Sequence, residues 1–225
     1  MRFSAAPRAR RTGVKGEFLD KIVTVRLIKA DLSQSERFAL LPHITDEDIT
    51  RAKEYVSEED RSARLLSAYL KRRYVGKWTT DGRGKPIADG VCFSVSHCKG
   101  AVALALADGD VGIDVECVRG VKDELKRRVA ADSEYAGIKC DADFFAVWTA
   151  KESLAKAQGD GINRRPDKIP ALPFDGEKRY KGGGYYSRLT FVGDLVISVT
   201  RAGTAPFDLE IIRESIPPCG GGSGV

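Results

Sequence analysis

Residues 111–118 read VGIDVECV and set two acids, Asp114 and Glu116, inside an otherwise apolar run. On a strand, side chains alternate between faces, so Asp114 and Glu116 share one surface while Ile113, Val115 and Cys117 share the other. Two carboxylates side by side repel, and burying them without a counter-charge costs several kcal/mol, on the order of 3 or more. A divalent metal, an Arg or Lys partner, or plain solvent would each answer. A second acid stands in FFAVWTAKESLAKAQGDG (144–161), where Glu152 is one helical turn from both Trp148 and Lys156, with Lys151 beside that line. Alone, this stretch also fits an exposed Glu–Lys pair worth about 0.3 kcal/mol. A third stretch, FSVSH (93–97), alternates Phe93 and Val95 with Ser94 and Ser96 and ends on His97.

These side chains need a scaffold, and 225 residues with 42% hydrophobic and 31% charged content can build one large domain or two small lobes with a real core. No apolar run approaches the roughly 20 residues of a membrane span. The opening MRFSAAPRARRTGVKG is basic and never apolar, so no secretory signal is expected, and a cytoplasmic location is. A flexible start is expected over residues 1–18, with an organelle transit segment as the alternative. Five cysteines form no CxxC pair and only His43 and His97 stand ready to assist them, which argues against zinc and for reduced thiols, with Cys92 and Cys117 as small core residues. The net charge of +5, with basic residues recurring at 51–53, 61–64, 71–73 and 126–128, points to an anionic partner. No nucleic-acid module is visible, and such runs are commonly solvated faces.

The hydrophobic pattern predicts a first strand over 21–28. Two helices follow: one N-capped by Thr45 with Asp48 three residues on, and one opened by SEED (57–60) that carries Leu65, Leu66, Tyr69 and Leu70 on one side and Arg61, Arg64, Lys71 and Arg72 on the other. GRGKPIADG (82–90) is turn chemistry, VCFSVSH and AVALALA are strands, and the turn DGD (108–110) leads into VGIDVECV. Helical stretches at 121–130 and 142–157 and strands near 185–192, 195–201 and 207–212 complete the chain. The expected architecture is α+β, with two similar lobes, each a helix packed on a mainly antiparallel sheet: residues 19–107, then 108–213, then a flexible tail over 214–225.

Taken together, Gly112-Ile113-Asp114-Val115-Glu116 and Trp148-Thr149-Ala150-Lys151-Glu152-Ser153-Leu154-Ala155-Lys156 resemble the two signature blocks of the 4′-phosphopantetheinyl transferase superfamily. GKP (84–86) and FSVSH also look like the blocks these enzymes carry upstream, in the same order. The length is similar to that of the larger, single-chain, pseudo-dimeric surfactin-type class. The resemblance implies transfer of phosphopantetheine from coenzyme A to a serine of an apo acyl or peptidyl carrier protein, releasing adenosine 3′,5′-bisphosphate.

By the same resemblance, Asp114, Glu116 and Glu152 would hold Mg²⁺, with Mn²⁺ as the alternative. Glu152, or a water beside it, would accept the serine proton. Lys156 would hold phosphate or compensate the acids, with Lys151 a weaker candidate, and Glu134 would assist the metal or the base. Lys85 and His97 would contact the nucleotide end of coenzyme A, Ser96 would support the phosphates, and Arg64 would take the 3′-phosphate, with Arg51 and Lys53 as lesser candidates. Asp46, Glu47 and Asp48 stand where related enzymes carry basic residues, and Cys98 stands where many carry Ser. The +5 charge suits an acidic carrier protein, and a monomer is expected because both lobes lie in one chain. Two other readings use the same residues: a Mg²⁺-dependent nucleotide phosphohydrolase with water as nucleophile, and a non-catalytic relative that holds carrier protein or coenzyme A.

Overall fold

The computed structural model describes residues 22–82, 84–159, 166–169, 179–182, 184–203 and 205–218. The basic start, residues 160 and 161 of GDG and the chain end from 219 lie outside these. In chain order the elements are β1 (Ile22–Lys29), α1 (Gln34–Leu40), α2 (Asp46–Lys53), α3 (Glu58–Tyr74), the short β2 (Thr79–Thr80) and β3 (Pro86–Ile87), β4 (Cys92–Cys98), β5 (Ala101–Ala107), β6 (Val111–Cys117), α4 (Asp123–Val129), α5 (Asp132–Tyr135), α6 (Asp141–Gln158), β7 (Arg179–Gly182), β8 (Tyr185–Val192), β9 (Leu195–Ala202) and β10 (Asp208–Glu214).

The strands form two four-stranded sheets, β10-β1-β5-β4 and β6-β9-β8-β7, so the α+β reading holds. Period-two alternation divides β5 between two cores. Ala101, Ala103, Ala105 and Ala107 meet Val111, Ile113 and Val115 of β6 with Ile197 and Val199 of β9 between the sheets. Val102 and Leu104 face outward to Leu66, Tyr69 and Leu70 of α3. On the second sheet, Val196 and Leu189 meet Phe144, Phe145 and Ala146 of α6. Each sheet thus carries one long helix on its outer face and shares its inner face with the other.

Two expectations change. The strand at 208–214, assigned above to the second lobe and tail, pairs in parallel with β1 from Ile22↔Asp208 to Ile28↔Glu214. Beyond it Ile216 packs against the core under α3, so the first sheet is completed by the last strand. Parallel neighbours cannot be joined by a tight turn, and here every other element of the chain, the second sheet included, lies between the two strands. Helix α1 was missed, although Ser33 and Glu36 form the same reciprocal capping box that identified α2: the Glu36 amide donates to Ser33 Oγ at 3.3 Å and the Ser33 amide to Glu36 Oε2 at 2.8 Å.

Candidate active site

Strands β4 and β6 are the facing edges of the two sheets, and the join is made by side chains. The Ile113 amide donates to Ser94 Oγ at 3.1 Å and the Val115 amide to Ser96 Oγ at 3.3 Å. An edge strand's amides must find partners when buried, and the alternating serines of FSVSH supply them. Helix α6 crosses the outer face of β6 at Gly112. A Cβ there would lie 2.0 Å from the Ser153 carbonyl oxygen and 2.4 Å from the Ala157 nitrogen, so only glycine lets the helix come this close.

That approach brings the predicted acids together. Asp114 is 6% exposed; its Oδ1 accepts from Ser96 Oγ at 2.7 Å and from Lys156 Nζ at 2.8 Å, while its buried Oδ2 has no hydrogen-bond partner among the described residues. Lys156 also donates to Ser96 Oγ at 3.0 Å. Lys156 therefore answers Asp114 across the junction of the sheets rather than forming an exposed pair with Glu152. Burial, with Asp114 and then Glu116 nearby, pushes the Glu152 carboxyl up to about 7 against a partial opposing pull from Lys156. Glu152 is 6% exposed and has no hydrogen bond or ion pair among the described residues. Glu116 is held at 2.9 Å by Arg119, four-fifths buried where Arg119 is largely exposed.

No three acidic, histidine or cysteine side chains among the described residues form a closed metal cage. Mg²⁺ does not require one: it keeps waters and takes one or two carboxylates plus phosphate oxygens. The Asp114 Oδ2 that finds no partner among the described residues and a Glu152 carboxyl pushed up by burial and its acidic neighbours are the features such a cation would relieve, and the oxygen donors fit it.

Other predicted residues are engaged differently. Helix α6 is buried around most of its circumference, so its polar groups need internal partners. Lys151, 1% exposed, donates to the Val129 carbonyl at 3.0 Å and the Pro166 carbonyl at 2.9 Å and pairs with Glu134 at 2.6 Å. Glu134 also accepts from the Ala131 amide at 2.7 Å. These two residues brace α4, α5 and α6 against one another, away from the side of α6 that faces Asp114. Lys85 Nζ donates to Asp110 Oδ1 at 2.6 Å and to the Ala157 carbonyl at 2.9 Å, tying the GKP turn to the end of α6. His97 is exposed at the end of β4, and desolvation by surrounding protein, with the positive charges of Arg64 and Lys156, holds its imidazole below the usual range. Arg64 lies over the Tyr55 ring at 4.5 Å, and exposed Arg51 pairs with Glu47. Cys98 is half-buried, and burial and neighbouring Glu116 push its thiol up to about 12, which leaves it a poor nucleophile.

A cleft of about 260 Å³ opens beside this cluster, lined among others by Lys71, Lys85, Pro86, Phe93, Val95 and Lys156. Sequence reasoning placed Lys71 on a basic helix face without assigning it to the site; nothing local marks it out from Arg72 and Arg73. A larger hollow of about 430 Å³ between α1, α3 and the β4–β5 turn is ringed by charges of both signs, including Lys29, Arg37, Glu58 and Glu59, and is not lined by the acid cluster.

Two sheets joined at Ser94 and Ser96, with three acids and a lysine at the join, agree with the comparisons of sequence. The model of the 4′-phosphopantetheinyl transferase superfamily matches residues 110–199, which include Asp114, Glu116, Glu152 and Lys156. Over that span, two fifths of its length, the chain is similar to that superfamily, and the relatives it matches are surfactin-type transferases. It is 26% identical over 151 residues to the 4′-phosphopantetheinyl transferase Sfp of Bacillus subtilis, covering 59% of this chain and 67% of that protein. It is 28% identical over 160 residues to the 4′-phosphopantetheinyl transferase HetI of Nostoc, covering 60% and 68%. With the 4′-phosphopantetheinyl transferase gsp of Aneurinibacillus migulanus the identity is 29% over 125 residues, covering 48% of this chain and about half, 53%, of that relative.

Proposed function

We propose that the protein is a 4′-phosphopantetheinyl transferase that moves the phosphopantetheine group of coenzyme A onto a serine hydroxyl of an acidic acyl or peptidyl carrier protein. The carrying observation is the meeting of Asp114, Glu116 and Glu152 with Lys156 at the join of the two sheets, beside a lysine-lined cleft. The serine Oγ bonds to the β-phosphorus of coenzyme A as the bond from that phosphorus to the bridging oxygen breaks, and adenosine 3′,5′-bisphosphate leaves with that oxygen. The serine proton passes to Glu152 or to a water beside it, the proton acceptors that the acid cluster offers. Lys85 and Lys156 orient the phosphates, and the cleft limits water around them. When bound by Asp114, Glu116 and Glu152, Mg²⁺ supplies charge neutralisation to the pyrophosphate. His97, Arg64 and Arg51 are proposed at the nucleotide end, and Ser96 is proposed to support the phosphates, acting also through Asp114 and Lys156. Glu134, tied to Lys151, is proposed to act on the site only by holding α6 in place.

Among the described residues no helix is long and apolar enough to cross a membrane, and we propose a cytoplasmic monomer. The test is intact mass spectrometry of an apo acyl carrier protein incubated with the enzyme, coenzyme A and Mg²⁺. The expected result is a gain of one phosphopantetheine that is lost with a serine-to-alanine carrier, with EDTA and with Asp114→Ala. Coenzyme A consumed with no carrier modified would instead establish the phosphohydrolase, and coenzyme A bound but unconsumed the non-catalytic relative.

A further inference from the structure

Three ammonium groups line the cleft beside the acid cluster: Lys71 from α3, Lys85 from the β2–β3 turn and Lys156 from α6. Two of them have carboxylate partners, Lys85 with Asp110 at 2.6 Å and Lys156 with Asp114 at 2.8 Å. Lys71 Nζ has no hydrogen bond or ion pair among the described residues; it stands 4.5 Å above the Trp78 ring. Its neighbours in the last turn of α3 are satisfied within the protein, Arg72 by Asp48 and Arg73 by the Tyr69 hydroxyl. A favourable position at a helix C-terminus accounts for a cation here, but not for one that is half-buried and unpaired when those beside it are paired. Burial lowers the Lys71 ammonium below its usual range, and Arg64, Arg51 and Arg72 push the same way against Asp48. A group so placed is relieved by an anion, and an ammonium–phosphate contact is a strong charge-assisted hydrogen bond.

We propose that Lys71 is a phosphate ligand of this cleft, completing with Lys85 and Lys156 a three-lysine cradle for the phosphates of the coenzyme. This inference rests on the transferase reading above. The apolar side chains Phe93, Val95 and Pro86 line the same cleft and lower the local dielectric around the contact, which strengthens it.

The test is calorimetric titration of the full chain with coenzyme A, and with pantetheine as a probe that lacks the phosphates, alongside steady-state transfer to an apo carrier protein. Losing a charge-assisted hydrogen bond to phosphate is expected to weaken coenzyme A binding by about ten- to a hundredfold in Lys71→Met. Its KM for coenzyme A should rise accordingly, with kcat at saturation within roughly threefold and pantetheine binding unchanged. Lys71→Arg should recover most of the affinity. Lys122→Met, which removes the same charge from an exposed position, should bind as wild type. Lys71→Gln replaces the Met variant if the latter does not reach wild-type thermal stability. Wild-type affinity for coenzyme A in Lys71→Met or Lys71→Gln overturns the Lys71 assignment while leaving the transferase reading intact. A wild-type protein that neither binds coenzyme A nor modifies a carrier overturns both.

Discussion

Glu152 is held in a form that the fold disfavours, and replacing it with glutamine should separate stability from activity. Its carboxyl ordinarily titrates at 4.5 and here is pushed up to about 7 by burial, Asp114 and Glu116. At about 1.4 kcal/mol for each tenfold change in proton affinity, that displacement corresponds to at most about 3.5 kcal/mol, and partial solvation leaves on the order of 1–2. The sign follows from proton counts. Between pH 4.5 and about 7 the folded protein retains a proton that the unfolded chain has released, so stability falls as pH rises through this window and stays low above it. Glu152→Gln removes the titration and the charge while keeping the shape. In EDTA at pH 8 the variant should melt about 2–8 °C above wild type, since 1 kcal/mol shifts the melting temperature of a chain this long by about 2–4 °C. Near pH 4.5 the two should nearly coincide. Added Mg²⁺ should raise the wild type at pH 8 and leave the variant little changed, and the variant should transfer no phosphopantetheine. Thermal melts from pH 4.5 to 9, with and without Mg²⁺, decide the matter. A Gln variant less stable than wild type at pH 8 in EDTA, or parallel pH profiles for the two, would refute the assignment of strain to this carboxylate.

Gly112→Ala would drive a methyl group to 2.0 Å from the Ser153 carbonyl oxygen, so α6 must shift; we expect a loss of about 3 kcal/mol or more, a fall in melting temperature of roughly 6–12 °C, and impaired transfer. A variant of wild-type stability and activity would mean that the helix does not lie this close to β6. Lys151→Met breaks a buried pair and leaves Glu134 without its ammonium, which should cost about 3–5 kcal/mol in chemical denaturation while coenzyme A affinity of the remaining folded protein stays within a fewfold of wild type. A loss of affinity at unchanged stability would place Lys151 in the cleft instead.

Much of this site was legible because it obeys local periodicities. The two-residue repeat of a strand fixes that Asp114 and Glu116 share a face, and the 3.6-residue repeat of a helix fixes that Glu152 and Lys156 lie along one line. Capping chemistry three residues apart located α2 and, had it been read at Ser33, would have located α1. Even the glycine of the GIDVE block has a local identity and a distant cause, since its neighbour is a helix some 40 residues on.

Local patterns thus specify which side chains travel together on each element, and by resemblance which superfamily those elements build. Tertiary structure alone decided what each side chain meets. It turned Lys151 toward Glu134 and the Pro166 carbonyl, a helical step of about 100° from Glu152, and gave Lys156 to Asp114. It closed the first sheet with a strand from the end of the chain, and it set Lys71 in a cleft whose other lysines come from a turn and a distant helix. The physical reason is range: the geometry of one element repeats over a few ångströms and is written in adjacent residues. A partner across the fold is selected by the packing of sheets and helices separated in sequence by up to nearly 200 residues, and no local pattern encodes it.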